Sequence, residues 1–131
     1  GNQDYQRSTY RVEDLRHTTS RGLKVRSKSE VIIAETLYAY DIKFRYEEVM
    51  WVNEHQFIPD FTIMTPSNRM FYWEHCGMTN NPEYMRHHKW KMEQYEKIGI
   101  VPWKNLIVTY DTEEGIIDTN VIRSEILNKL K

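Results

Sequence analysis

Two apolar runs do most to limit how this chain can fold. Leu106-Ile107-Val108-Thr109-Tyr110 is almost continuously apolar, with no alternation toward water. A strand of that kind is buried on both faces, which requires layers packed above and below its sheet. Met70-Phe71-Tyr72-Trp73 is the second run, and it leads directly into Glu74 and His75. An unpaired carboxylate buried there would cost several kcal/mol, so Glu74 needs a partner or an ion.

The remaining elements follow from spacing and punctuation. Residues 1–22 are polar and aperiodic and read as an N-terminal arm, irregular or with a short helix; 23–131 read as one domain. Ser27-Lys28-Ser29-Glu30 fits a capping box, in which the serine accepts from an early amide and the glutamate reaches back. Ile33, Thr36, Leu37 and Tyr40 continue that helix at helical intervals. Lys43 to Glu47 alternates, with Val49-Met50-Trp51-Val52 as its expected hairpin partner. A third strand follows Pro59-Asp60, and a turn at Pro66-Ser67-Asn68 leads into the aromatic strand. Asn81-Pro82 opens a helix that should stop at Gly99, with Tyr84, His88, Lys91 and Tyr95 on its inner face. Ile122, Ile126 and Leu130 form the stripe of a last helix. The predicted class is α/β, a mixed sheet flanked by helices.

Composition sets the outer limits. The chain has 131 residues, 40% hydrophobic and 28% charged, enough for one core without covalent staples. Cys76 is the only cysteine, which excludes an internal disulfide and points to a reducing, cytoplasmic setting. No run approaches the ~18 apolar residues that cross a bilayer, and no secretory leader is evident, so no membrane association is expected. The chain opens on Gly1, the mark of a piece of a larger parent chain; an oligomer is equally open. A net charge of -1 excludes a general polyanion sponge, but the charge is segregated: an acidic middle lies between two basic segments. Arg21, Lys24, Arg26 and Lys28 fall within eight residues that contain no acid. This pattern suits a cation held at a centre with a polyanion around its rim, although a solvated surface accounts for the charge alone.

Three acids are placed to meet. If the strands around Pro66-Asn68 are hairpin neighbours, Asp60 at the start of one lies beside Glu74 near the end of the other. Glu30 sits on the helical stripe that should face the sheet. Adjacent carboxylates repel, and a divalent cation between them removes that cost. Mg²⁺ needs only one or two carboxylates besides water and phosphate oxygens. Each acid also has a plain reading, Glu30 as a cap and Asp60 as a turn residue; their coincidence carries the argument.

Pro59-Asp60, the later Glu74, a preceding helix bearing Glu30, and the order αβββαβ together resemble the PD-(D/E)xK nuclease superfamily. Lys28-Ser29-Glu30, Trp73-Glu74-His75 and Gly99-Ile100-Val101-Pro102 are similar to phage- and bacteria-associated members. The resemblance covers about residues 24–110 and implies a restriction-endonuclease-like core. It further implies metal-dependent hydrolysis of DNA phosphodiesters, with Mg²⁺ or Mn²⁺ held by Asp60, Glu74 and the His75 carbonyl. Glu30 would serve a second ion or its water, and no nucleotide cofactor is implied. One position departs from the pattern. The lysine usual two residues after the second acid is replaced by Cys76, and a neutral thiol cannot stand in for an ammonium. Lys91 is the first candidate to substitute, because Lys91 and Tyr95 resemble the Gln-x-x-x-Tyr motif of RecB-like relatives; Lys28 and Lys89 follow. Lys24, Arg26, Lys28, Lys89 and Tyr95 are the candidate DNA contacts, reading backbone rather than bases.

Other chemistries are less well supplied. A zinc site from His75, Cys76, His87 and His88 matches no finger or ribbon spacing. A Cys76–histidine nucleophile has no sequence feature to activate it. Phosphate-loop chemistry lacks its glycine-rich run. The rival to an active nuclease is a module that kept the fold, lost turnover with its lysine, and binds nucleic acid or assembles with a larger DNA-processing protein.

Overall fold

The computed structural model describes residues 5–131. The strands are β1 (His17–Thr18), β2 (Lys24–Val25), β3 (Lys43–Tyr46), β4 (Met50–Val52), β5 (His55–Phe57), β6 (Phe61–Met64), β7 (Met70–Cys76) and β8 (Leu106–Tyr110). The helices are α1 (Lys28–Ala39), α2 (Pro82–Lys97) and α3 (Thr119–Lys129). The main sheet runs β3-β6-β7-β8, antiparallel except for the β7–β8 pair, which is parallel. The crossover α2 joins that parallel pair, as parallel neighbours require. The fold is thus mixed α/β, with helices flanking a mixed sheet in the order α1-β3-β6-β7-α2-β8. Among the described residues no helix is long and apolar enough to cross a membrane.

Strand periodicity divides the core in two. Trp73 and Ile107 face α1 and α3, where they meet Ile33, Leu37, Ile122 and Ile126, all essentially without solvent contact. On the other face Tyr72 and Leu106 pack with Tyr95 and Met92 of α2, with Ile98 just past its end and with Phe57. The ends of α2 are set locally. The Asn81 side chain caps Tyr84 N at 3.0 Å, and Gly99 at φ 84° turns the chain so that Ile100 N reaches Tyr95 O at 2.9 Å.

Two strand expectations change. Val49–Val52 is not the partner of Lys43–Glu47; β3 pairs with β6, and β4 pairs with β5 in a separate ribbon. Glu47, at φ 49°, bends the chain out of β3 while its amide bonds Asp60 O at 3.0 Å. Asn53, at φ 56°, then closes the β4–β5 ribbon through a two-residue turn. Of the expected arm, residues 1–4 lie outside the described residues, and the short helix forms as a 3-10 turn at Val12–Asp14; the rest is more structured than its composition suggests. Tyr5 hydroxyl bridges Tyr46 O and N at 3.0 and 3.1 Å, and β1–β2 form a ribbon across residue 22.

Candidate active site

The β6–β7 register pairs Phe61 with Trp73, so Asp60 is carried to the position opposite Glu74. Asp60 Oδ2 accepts from His75 N at 2.7 Å. Burial raises the Asp60 pKa well above the usual carboxylate range, and the charges of Glu74 and Glu30 push it further. Lys91 and the His75 amide oppose this without cancelling it.

Glu74 is buried at 5% exposure, and α2 supplies both of its partners. Lys91 Nζ lies 3.0 Å from Oε2 and equally 3.0 Å from Oε1. Tyr95 donates its hydroxyl to Oε1. These side chains are four residues apart on one helix face, which is why a single helix can hold both ends of one carboxylate. Burial works against the Lys91 charge, but Glu74 and Asp60 outweigh it and hold the ammonium above its ordinary pKa. The rest of the inner stripe lands further along β7. Tyr84 hydroxyl accepts from Gly77 N at 3.4 Å, and His88 Nδ1 lies 3.0 Å from Cys76 Sγ.

That last contact gives Cys76 a histidine neighbour the sequence did not reveal. Burial, then Asp60 and Glu74, push the thiol up to about 12, while burial lowers His88. Neither shift favours a thiolate–imidazolium pair: burial, ahead of the nearby acids, holds the thiol neutral and disfavours the charged imidazole. The four-ligand zinc arrangement does not form: His75 bonds Thr109 and Asp111, and His87 stacks on Trp90 at 5.7 Å.

Glu30 is handled differently from the expected cap. Ser27 Oγ does accept from Glu30 N at 3.1 Å, but the Glu30 carboxylate reaches Arg26 N at 3.0 Å and Tyr46 hydroxyl at 2.9 Å. Burial raises its pKa to about 7. Glu30 acts on Asp60 through its field, yet among the described residues no three His, Cys, Asp or Glu side chains gather closely enough to hold an ion. The expected three-acid pocket is therefore an Asp60–Glu74 pair with Glu30 engaged by Tyr46. Tyr46 went unnoticed in the sequence, where it reads as one more alternating strand residue.

The basic candidates separate as well. Lys24, Lys28 and Lys89 are exposed. Arg26 is committed to Glu47, with Nε at 2.6 Å and Nη2 at 3.0 Å, and to the carbonyls of Arg11 and Tyr10. Tyr95 is buried and its hydroxyl is turned to Glu74, so it faces no solvent.

No family model matches the chain. It is similar to the uncharacterised protein MJ1519 of Methanocaldococcus jannaschii, at 30% identity over 128 residues, 92% of this chain. The chain spans 11% of that relative's length.

Proposed function

We propose that this domain is a metal-dependent nuclease of the PD-(D/E)xK type that hydrolyses DNA phosphodiesters. The observation that carries the reading is the Asp60–Glu74 pair, two carboxylates at facing positions of the β6–β7 hairpin, where burial and then the charge of Glu74 raise the Asp60 pKa. Their hard oxygen donors fit Mg²⁺ or Mn²⁺, for which one or two carboxylates suffice. Asp60, Glu74 and the His75 carbonyl would hold the ion, which when bound acidifies water and polarises a phosphoryl oxygen.

The protein's own groups do the rest. Lys91 presents a permanent positive charge at the carboxylate pair, suited to neutralising charge that develops on a phosphate. Tyr95 fixes the orientation of Glu74 from the buried side. Asp60 is held by the His75 amide, so both acids are oriented before substrate arrives. Glu30, through its negative charge, strengthens the preference of Asp60 for a cation.

The test is incubation of nicked, linear and single-stranded DNA with Mg²⁺ or Mn²⁺, comparing the protein with Asp60→Ala. Metal-dependent cutting lost in the variant supports the reading; no cutting by either protein sinks it. A second reading, the inactive nucleic-acid-binding or assembly module, is favoured by one feature. Cys76 is uncharged where a lysine is usual, and Lys91 is already paired with Glu74. DNA binding without cleavage by either protein is its expected result.

A further inference from the structure

A cleft of about 920 Å³, lined in part by Tyr46, opens between the N-terminal segment, the β1–β2 ribbon, the end of α1 and the edge strand β3. Four cations line it: Arg7, Arg21, Lys24 and Lys43. Among the described residues its only acidic lining residue is Asp41. Among the described residues none of the four cations has a carboxylate within ion-pair distance, whereas Arg26, Arg45 and Lys91 all do. Four cations against one lining carboxylate leave the cleft net positive, and a bound anion relieves that excess.

The walls between the cations are aromatic. Arg21 lies over the Tyr38 ring at 4.4 Å, and Arg7 over Tyr46 at 5.5 Å. Tyr38 and Phe44 are themselves in contact, with centroids 5.3 Å apart, and both keep part of their surface open. Guanidinium groups grip phosphate through paired N–H donors, and ring faces or guanidinium planes stack on nucleobases. The volume falls within the range of small-molecule sites and exceeds the need of a lone phosphate.

We infer that this cleft binds a nucleotide unit, its phosphate on Arg21 and Lys43 and its base against the Tyr38–Phe44 wall. The unit is either a free nucleoside phosphate or one residue of a nucleic-acid strand, since both present the same chemistry. The inference does not depend on the phosphodiesterase reading, because the cleft shares no carboxylate with the Asp60–Glu74 pair.

The experiment titrates a labelled single-stranded oligonucleotide, and separately a nucleoside triphosphate, without divalent metal, onto the full chain and onto Asp60→Ala. Binding is read alone, so failure of cleavage leaves the result intact. Arg21→Ala combined with Lys43→Ala removes two exposed side chains, of which Arg21 covers part of the Tyr38 ring, so a thermal melt checks folding. The expected result is an affinity loss of about tenfold or more at low salt, with the oligonucleotide salt slope falling by about 1.4, at ~0.7 per lost contact. Loss confined to the oligonucleotide assigns the site to a strand; equal loss for the triphosphate assigns it to a free nucleotide. Undiminished binding of both by the double variant overturns the inference. So does displacement by inorganic phosphate, or by an acidic peptide of equal charge, as effective as that by nucleotide.

Discussion

Glu74 and His75 are consecutive on β7 and point to opposite faces of the sheet, and the two faces treat a buried polar group in opposite ways. On the His75 side every group has a complementary partner. Trp73 Nε1 donates to Thr109 Oγ1 at 2.9 Å, and the Thr109 hydroxyl donates to His75 Nδ1 at 2.8 Å. His75 Nε2 then donates to Asp111 Oδ1 at 2.7 Å, where Ser29 Oγ donates at 2.7 Å as well. That chain ties the first turn of α1 to β7 and the end of β8. On the Glu74 side hydrogen bonds are also made, but charge is not balanced: Asp60 is buried beside the charge of Glu74 and also feels that of Glu30 from α1, against the ammonium of Lys91. Burial of polar groups does not separate a structural network from a functional centre; uncompensated like charge does.

The largest test of this contrast is Lys91→Ala. If the charged side is chemical machinery, cleavage falls by about 10²–10³, in the range of lost electrostatic stabilisation, while metal affinity is largely kept. Cleavage at the parent rate would move the role to Lys28. Thr109→Val probes the other side: it keeps the shape but strands the Trp73 indole N–H and deprives His75 of its donor. Denaturant unfolding should register a loss of about 2 kcal/mol, with cleavage per folded molecule unchanged.

The pH dependence should carry the sign of a buried acid. Glu30 titrates at 4.5 when unperturbed and at about 7 in the folded chain, so the folded state binds the extra proton between those values. Its contribution to stability is complete below pH 4.5 and is lost as pH rises through about 7. In metal-free buffer the melting temperature should be higher at pH 6 than at pH 8, and Glu30→Gln should shrink that difference. The smallest effect on stability is expected from Asp60→Asn, which keeps an acceptor for the His75 amide and removes one of the opposed charges. It should abolish cleavage yet stabilise the fold by about 1 kcal/mol, seen as a rise of a few degrees in Tm. A destabilised Asp60→Asn would mean that the acidic side is balanced after all.

Local chemistry announced much of this molecule. The Ser27 and Asn81 caps, the Gly99 stop, the Leu106–Tyr110 strand, buried along most of its length but with Tyr110 exposed, and the inner stripe of α2 are properties of short stretches, and each shows at its own spacing. The Asp60–Glu74 adjacency was also readable, because a hairpin turn at Pro66–Asn68 fixes which residues face each other. Errors arose where pairing spans distance. Lys43–Tyr46 had an apolar run close by in sequence, but the left-handed backbone at Glu47 sends β3 to β6 instead.

The sequence by itself determined the three helices and the strands of the main sheet, their order, and which residues share a helix or strand face, because period and capping act over a few residues; the short β1, β2 and β5 were not legible in it. Tertiary structure alone decided how charge is apportioned. It gave Glu30 to Tyr46, Arg26 to Glu47, Lys91 to Glu74 and His88 to Cys76, and it left Arg21 and Lys43 beside an open cleft. Those pairings link residues up to 21 positions apart, and Ser29 to Asp111 spans 82. Which carboxylate meets which cation depends on how whole elements dock, since Coulomb energy follows distance and burial, neither of which a linear pattern contains.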